Sequence, residues 1–172
     1  MSIIFWRRRD TYKNLPFKIA KILILNGKFR PSFDLYLFSV IIFYMQKDFD
    51  GWNELKKDLD DRSDFLPVKE GEVWWCSIGI NVGVETCGKN EKYSRPVVIL
   101  KKLSQFGFLG VPLTSQEHTG SWYTEFVFKD KKQYAVLAQV RVFSTNRLTD
   151  RMGTLPQSDF DKIKGGFLEL YK

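Results

Sequence analysis

Five short segments rich in β-branched and aromatic residues, 72–78, 96–103, 106–113, 122–128 and 134–143, crowd the last three-fifths of this chain. Turn-forming stretches separate them: Ser104-Gln105, Lys129-Asp130-Lys131 and a long glycine-containing loop over 79–94. Short strands with tight connections predict an antiparallel, partly open barrel. After Pro156 the apolar residues Phe160, Ile163 and Phe167 recur at helical spacing, and Ser158 with Asp161 three residues later resembles a capping box. The pair Gly165-Gly166 costs roughly 1 kcal/mol per glycine relative to alanine, so this C-terminal helix is expected to be short or bent. The predicted fold is mainly β with flanking helices.

The segments ahead of the barrel differ in kind. Residues 1–44 carry eight Lys/Arg against two Asp/Glu, residues 45–67 four against seven, and residues 68–172 fifteen against eleven. Much of the net charge of +7 therefore belongs to the N-terminal extension, and a smaller excess remains on the barrel, enough to permit binding of a polyanion. The longest predominantly apolar stretch of the extension, residues 35–45, has eleven residues, far below the roughly 20 that a membrane-spanning helix needs. Lysines and arginines interrupt any signal-peptide pattern, and membrane-surface association of residues 1–44 stays open. The composition changes abruptly after Met45, which suggests the expectation that the natural protein starts there and that residues 1–44 are an upstream extension. Between 47 and 61, Phe49, Trp52, Leu55 and Leu59 outline an amphipathic, acidic helix, and a linker through Pro67 leads to the barrel at residue 68.

Cys76 and Cys87 lack any zinc-ligand spacing, and two ordinary thiols in a reducing cytoplasm are expected. The single histidine, His118, excludes mechanisms that need a histidine pair within one subunit, and its polar loop suggests an exposed, idle ring. No cofactor or metal site is indicated.

Two phrases carry chemistry. Arg95-Pro96-Val97-Val98-Ile99-Leu100 and Val111-Pro112-Leu113-Thr114-Ser115-Gln116 each pair an apolar strand with a polar end, so an arginine and a threonine stand at neighbouring strand ends, suited to holding a phosphodiester. Taken singly, Arg95 could be a solvated arginine paired with a carboxylate, and Thr114 a strand-end residue capping its own backbone. Trp122 and Tyr123 could stack on bases of single-stranded RNA or serve as core or dimer contacts. Gln116 and Arg141 could bond RNA or satisfy barrel backbone groups. Trp74 and Trp75 face opposite sides of a strand, one toward the core and the other toward a dimer contact.

These phrases, together with Gly71-Glu72-Val73-Trp74, Gly83-Val84-Glu85, Gln139-Val140-Arg141, Arg147-Leu148-Thr149-Asp150 and Gly153-Thr154-Leu155, resemble in order the MazF/PemK family of toxin ribonucleases. The resemblance covers about residues 70–170. It implies an SH3-like barrel, a cytoplasmic homodimer, metal-independent cleavage of single-stranded RNA at short sequences, and an acidic antitoxin covering the RNA groove, with DNA engaged only through the antitoxin complex. It implies Arg95 and Thr114 as the catalytic pair and Glu85 as a supporting carboxylate. The sequence departs from compact members in placing nine residues, Thr86 to Ser94, between Glu85 and Arg95, in having Thr86 where the family has glutamine, and in its first 67 residues. Other readings of the same barrel are an inhibitor of a protein target such as gyrase and a catalytically silent protein-binding module. The acidic helix of 45–67 could dock on the barrel side or fold over the groove as a built-in partial antitoxin.

Overall fold

The computed structural model describes residues 47–63, 66–170 and 172. The expectations for the 1–44 extension and the change at Met45 lie outside the described residues. Helix α1 (Phe49–Asp60) leads to strands β1 (Glu72–Ser77), β2 (Ser94–Lys102), β3 (Gly107–Thr114), β4 (Tyr123–Phe128), β5 (Lys131–Val136), β6 (Arg141–Ser144) and β7 (Leu148–Thr154), then to helix α2 (Gln157–Glu169). The strands form one open antiparallel sheet in the order β4-β5-β3-β2-β1-β7, with β6 paired to β3 off this path. Among the described residues no helix is long and apolar enough to cross a membrane.

The near-continuous apolar run of β2 follows from burial on both faces. Val98 and Leu100 join Val73, Val111, Leu113, Phe126, Phe160 and Ile163 in one core beneath α2. Val97 and Ile99 turn the other way, into a second core with Trp74, Cys76, Phe108, Phe143 and Leu148. Strand β6, the chain up to Leu148 and the segment around Pro67, through Leu66 and Val68, supply the cover for that second core. Trp74 is accordingly buried, and Trp75, on the opposite side, is half-buried. Glu72 is buried as well, and its carboxylate accepts hydrogen bonds from the Lys69 backbone N–H, the Trp74 indole and Arg151 Nε at 3.0, 2.9 and 2.8 Å. Those three donors compensate a charge that would otherwise be costly to bury.

Four expectations need correction. The 134–143 segment is not one strand: β5 ends at Val136, a 3-10 turn spans Leu137–Gln139, and β6 follows. The turn is needed because β5 pairs with the end of β3 at Leu113–Thr114, whereas β6 pairs with its beginning at Gly107–Gly110. Strand β7 is absent from the sequence reading because it is an edge strand with only Leu148 buried, and so it carries little alternation. Phe49 is 48% exposed, and α1 buries only Trp52 and Leu59, a narrower face than expected. The capping box also fails: Pro156 is the N-cap, without a side-chain bond, and Asp161 instead accepts from Gln157 Nε2 at 2.8 Å.

Helix α2 continues through both glycines. A Cβ on Gly166 would come within 2.7 Å of Thr124 Oγ1 and 3.0 Å of Leu137 Cδ1, whereas one on Gly165 meets nothing within 4 Å. Gly166 is thus the contact point at which α2 lies against β4 and the 3-10 turn. We predict that Gly165→Ala stabilises the fold by about 0.5–1 kcal/mol and that Gly166→Ala is the less stable of the two variants, as read by denaturant unfolding. Equal gains from both would contradict this packing.

Candidate functional site

The register of β2 against β3 pairs Val97 with Pro112, Val98 with Val111 and Ile99 with Gly110. Carried two residues further, it sets Arg95 opposite Thr114 at the point where β3 leaves β2 to pair with β5. The side chains agree with that placement. Arg95 Nη1 donates to the Leu113 carbonyl at 3.3 Å, and its Nε donates to the Cys87 carbonyl at 2.9 Å. No carboxylate pairs with Arg95 among the described residues. Half-burial draws its pKa below the usual arginine value by penalising the charged form, yet guanidinium remains a cation at any working pH. Two of its five N–H donors are occupied, so the rest of the planar fork is available to an anion.

Thr114 is buried, and its hydroxyl oxygen accepts from the Gln116 backbone N–H at 3.2 Å. The same contact is the self-capping turn open from sequence, and it leaves the hydroxyl proton free to donate. Gln116 itself is exposed.

A cleft of about 230 Å³ is lined by Ile78, Asn81, Glu85, Gln139, Arg141 and Phe143 among others; it brings Glu85 and Arg141 together, and neither Arg95 nor Thr114 lines it. Glu85 is exposed on the rim, and the nearby backbone is tied down more closely than the loop length suggests. Asn81 Nδ2 donates to the carbonyls of Ile78 and Thr86 at 3.4 and 2.7 Å, and the Thr86 N–H donates to Gln139 Oε1 at 3.2 Å. Thr86 therefore meets the cleft through its backbone. Arg141 is exposed, with its guanidinium 5.2 Å above the Phe143 ring in a cation–π placement. Asn81 and Gln139 were not singled out as site residues in the sequence. Gln139 stood inside the Gln139-Val140-Arg141 phrase, and for Asn81 there was no signal.

The aromatic candidates separate. Trp122 is 61% exposed. Tyr123 is half-buried, and one face of its ring is occupied by His118, stacked at 4.3 Å and 5°. His118 is not an exposed, idle ring as expected: it is half-buried between Tyr123 and the edge of Tyr134, because the 115–122 loop folds back on the sheet.

The open antiparallel sheet closed by a C-terminal helix defines a small, partly open β-barrel protein, with an arginine and a threonine at neighbouring strand ends. A family model described as PemK-like, MazF-like toxin of type II toxin-antitoxin system matches residues 69–171, and the chain belongs to this family. MazF from Deinococcus radiodurans is similar in structure, with a TM-score of 0.50 at 16% identity, covering 63% of this chain and 98% of that one. A mycobacterial endoribonuclease solved with its cognate antitoxin matches with a TM-score of 0.48 at 16% identity, over 62% of this chain and 95% of that one. No curated protein matches. At these identities the likeness to solved structures speaks for the fold.

Both cysteines are free thiols, but only Cys87 lies by the site. Burial pushes the Cys76 thiol up to about 12, so it stays protonated and inaccessible. In the folded protein at pH 8, iodoacetamide is expected to label Cys87 and spare Cys76 until denaturant is added, as read by peptide mass spectrometry. Labelling of Cys76 in the native state would contradict the two-sided burial of β1.

Proposed function

We propose that this protein is an endoribonuclease that cleaves single-stranded RNA at selected sequences without a metal ion. It would act as a cytoplasmic homodimer restrained by an acidic antitoxin. The observation that carries the reading is membership of the PemK-like, MazF-like toxin family over residues 69–171; it is supported by Arg95, whose guanidinium donates to the Cys87 and Leu113 carbonyls and pairs with no carboxylate among the described residues.

Metal-free RNA cleavage uses the substrate's 2′-hydroxyl as nucleophile. The protein must help deprotonate it, stabilise charge on the phosphorus oxygens and protonate the departing 5′-oxygen. Arg95 serves the second task, donating parallel hydrogen bonds to the phosphate, and once bound can hand a proton to the leaving oxygen. Thr114 orients the phosphate through its hydroxyl proton. Glu85, exposed on the cleft that Arg141 also lines, is the candidate base. In this reading Arg141 and Gln116 bond the strand, and Trp122, exposed, and the ring face of Tyr123 that His118 does not cover stack on bases.

Purified protein is expected to cleave a long unstructured RNA in buffer containing EDTA. Arg95→Ala should lower the rate by about 10²–10³-fold, as loss of one transition-state donor does elsewhere. Arg95→Lys should not restore it, because a point charge lacks the fork. Thr114→Ala separates this reading from a protein-binding barrel, for which the hydroxyl is dispensable. An RNA left intact by the wild type, or cleaved equally by Arg95→Ala, would overturn the assignment.

A further inference from the structure

We propose that helix α1 is an internal clamp on the 79–94 loop, and that Trp52 and Tyr93 are positioning residues that hold Arg95 in its working geometry. The proposal rests on the reading of Arg95 as the phosphate-binding cation. The nine-residue stretch between Glu85 and Arg95 is not a loose excursion. Gly88 donates its N–H to the Gly79 carbonyl at 2.7 Å, Gly79 donates to the Tyr93 carbonyl at 3.0 Å, and Lys89 and Ser94 exchange backbone hydrogen bonds. Gly88 lies so close to the Tyr93 backbone that a Cβ there would fall 1.7 Å from the Tyr93 carbonyl oxygen. Its neighbour, Cys87, supplies the carbonyl that anchors Arg95 Nε. Any displacement of Tyr93 is thus passed through Gly88 to the arginine.

Tyr93 needs an outside hold. Its φ is +45°, and that of Asn90 is +60°, a left-handed region that costs a non-glycine residue on the order of 1 kcal/mol. The hold comes from α1. The Tyr93 hydroxyl donates to Asp48, the N-cap of the helix. The Trp52 ring meets Tyr93 edge-on at 5.7 Å and packs so tightly on Gly79 that a Cβ there would stand 2.3 Å from Trp52 Cε2. Arg147 closes the far side, its guanidinium 5.4 Å above Trp52 and its Nη1 donating to the Ser77 carbonyl at 3.0 Å. No residue of α1 lines the cleft. A helix that grips the back of a loop without entering the groove is placed to brace the site, and a cover over the groove would need contacts that α1 does not make.

The test uses the full chain with Tyr93→Phe, which deletes only the bond to Asp48, and Trp52→Leu, which removes the wedge. Two quantities are read: amide hydrogen exchange across 79–94, and kcat and KM on a short RNA. Both variants should exchange faster in this loop, on the order of fivefold for Tyr93→Phe, and lose roughly tenfold in kcat with KM unchanged. If Trp52→Leu fails to fold, the milder Tyr93→Phe carries the test alone. Unchanged loop exchange, faster exchange with wild-type kcat, or a rise in activity would each overturn the clamp, the last by making α1 inhibitory. A wild type that cleaves no RNA overturns the nuclease reading instead, and the exchange arm still reports whether α1 grips the loop.

Discussion

The pairing of β2 with β3 is the constraint on which the rest of the molecule depends. Both strands are buried on two faces, so a slip of one residue would carry Val97 and Ile99 into the wrong core and Val98 and Leu100 into the other. With the register fixed in that way, the positions of Arg95 and Thr114 at the ends of the two strands are fixed as well. The strand-end placement of the two residues comes from the hydrophobic cores on either side of the sheet, while the Arg95 side chain takes its own anchors from the Cys87 and Leu113 carbonyls.

Those anchors also explain the chemistry available at Arg95. An arginine held by a carboxylate would be positioned and neutralised in the same step. Carbonyl oxygens position the guanidinium through their dipoles and leave its charge unspent. Partial burial strengthens the consequence, since removing water from one side of the cation raises its appetite for an anion in the remaining directions. The buried carboxylate among the described residues, Glu72, is committed elsewhere, to Lys69, Trp74 and Arg151. The opening phrase Gly71-Glu72-Val73-Trp74 is therefore structural in this chain.

Much of the fold was legible because its strands are buried strands. β1 to β4 announced themselves through β-branched and aromatic runs, and α1 and α2 through helical spacing. What was not legible has physical reasons. β7 has one buried residue, so it has no alternation to read. The break between β5 and β6 occurs at Leu137-Ala138-Gln139, a sequence without glycine or proline, because the turn is imposed by the two partners of β3. His118 reads as a loop residue and becomes a stacking partner only when the loop returns to Tyr123. For the candidate site, the side chains of Arg95, Thr114, Glu85 and Arg141 are readable as candidates, whereas the carbonyls of Cys87 and Leu113 that anchor Arg95 are not, since backbone acceptors carry no residue signature.

The long stretch before Arg95 shows how an inserted segment can be accommodated without loosening a site. Added loop length costs little in chain entropy, because the closure term grows only with the logarithm of length. The greater hazard is geometric, since a longer loop has more ways to be wrong. Here the segment is folded on itself by Gly79, Gly88 and the Lys89–Ser94 bridge, and gripped from outside by a helix that precedes the barrel. The 86–94 stretch and the helix make sense together: Trp52 and Asp48 hold the side chain of Tyr93, whose backbone is in the left-handed region, and Gly79 and Tyr93 in turn cover the Trp52 ring.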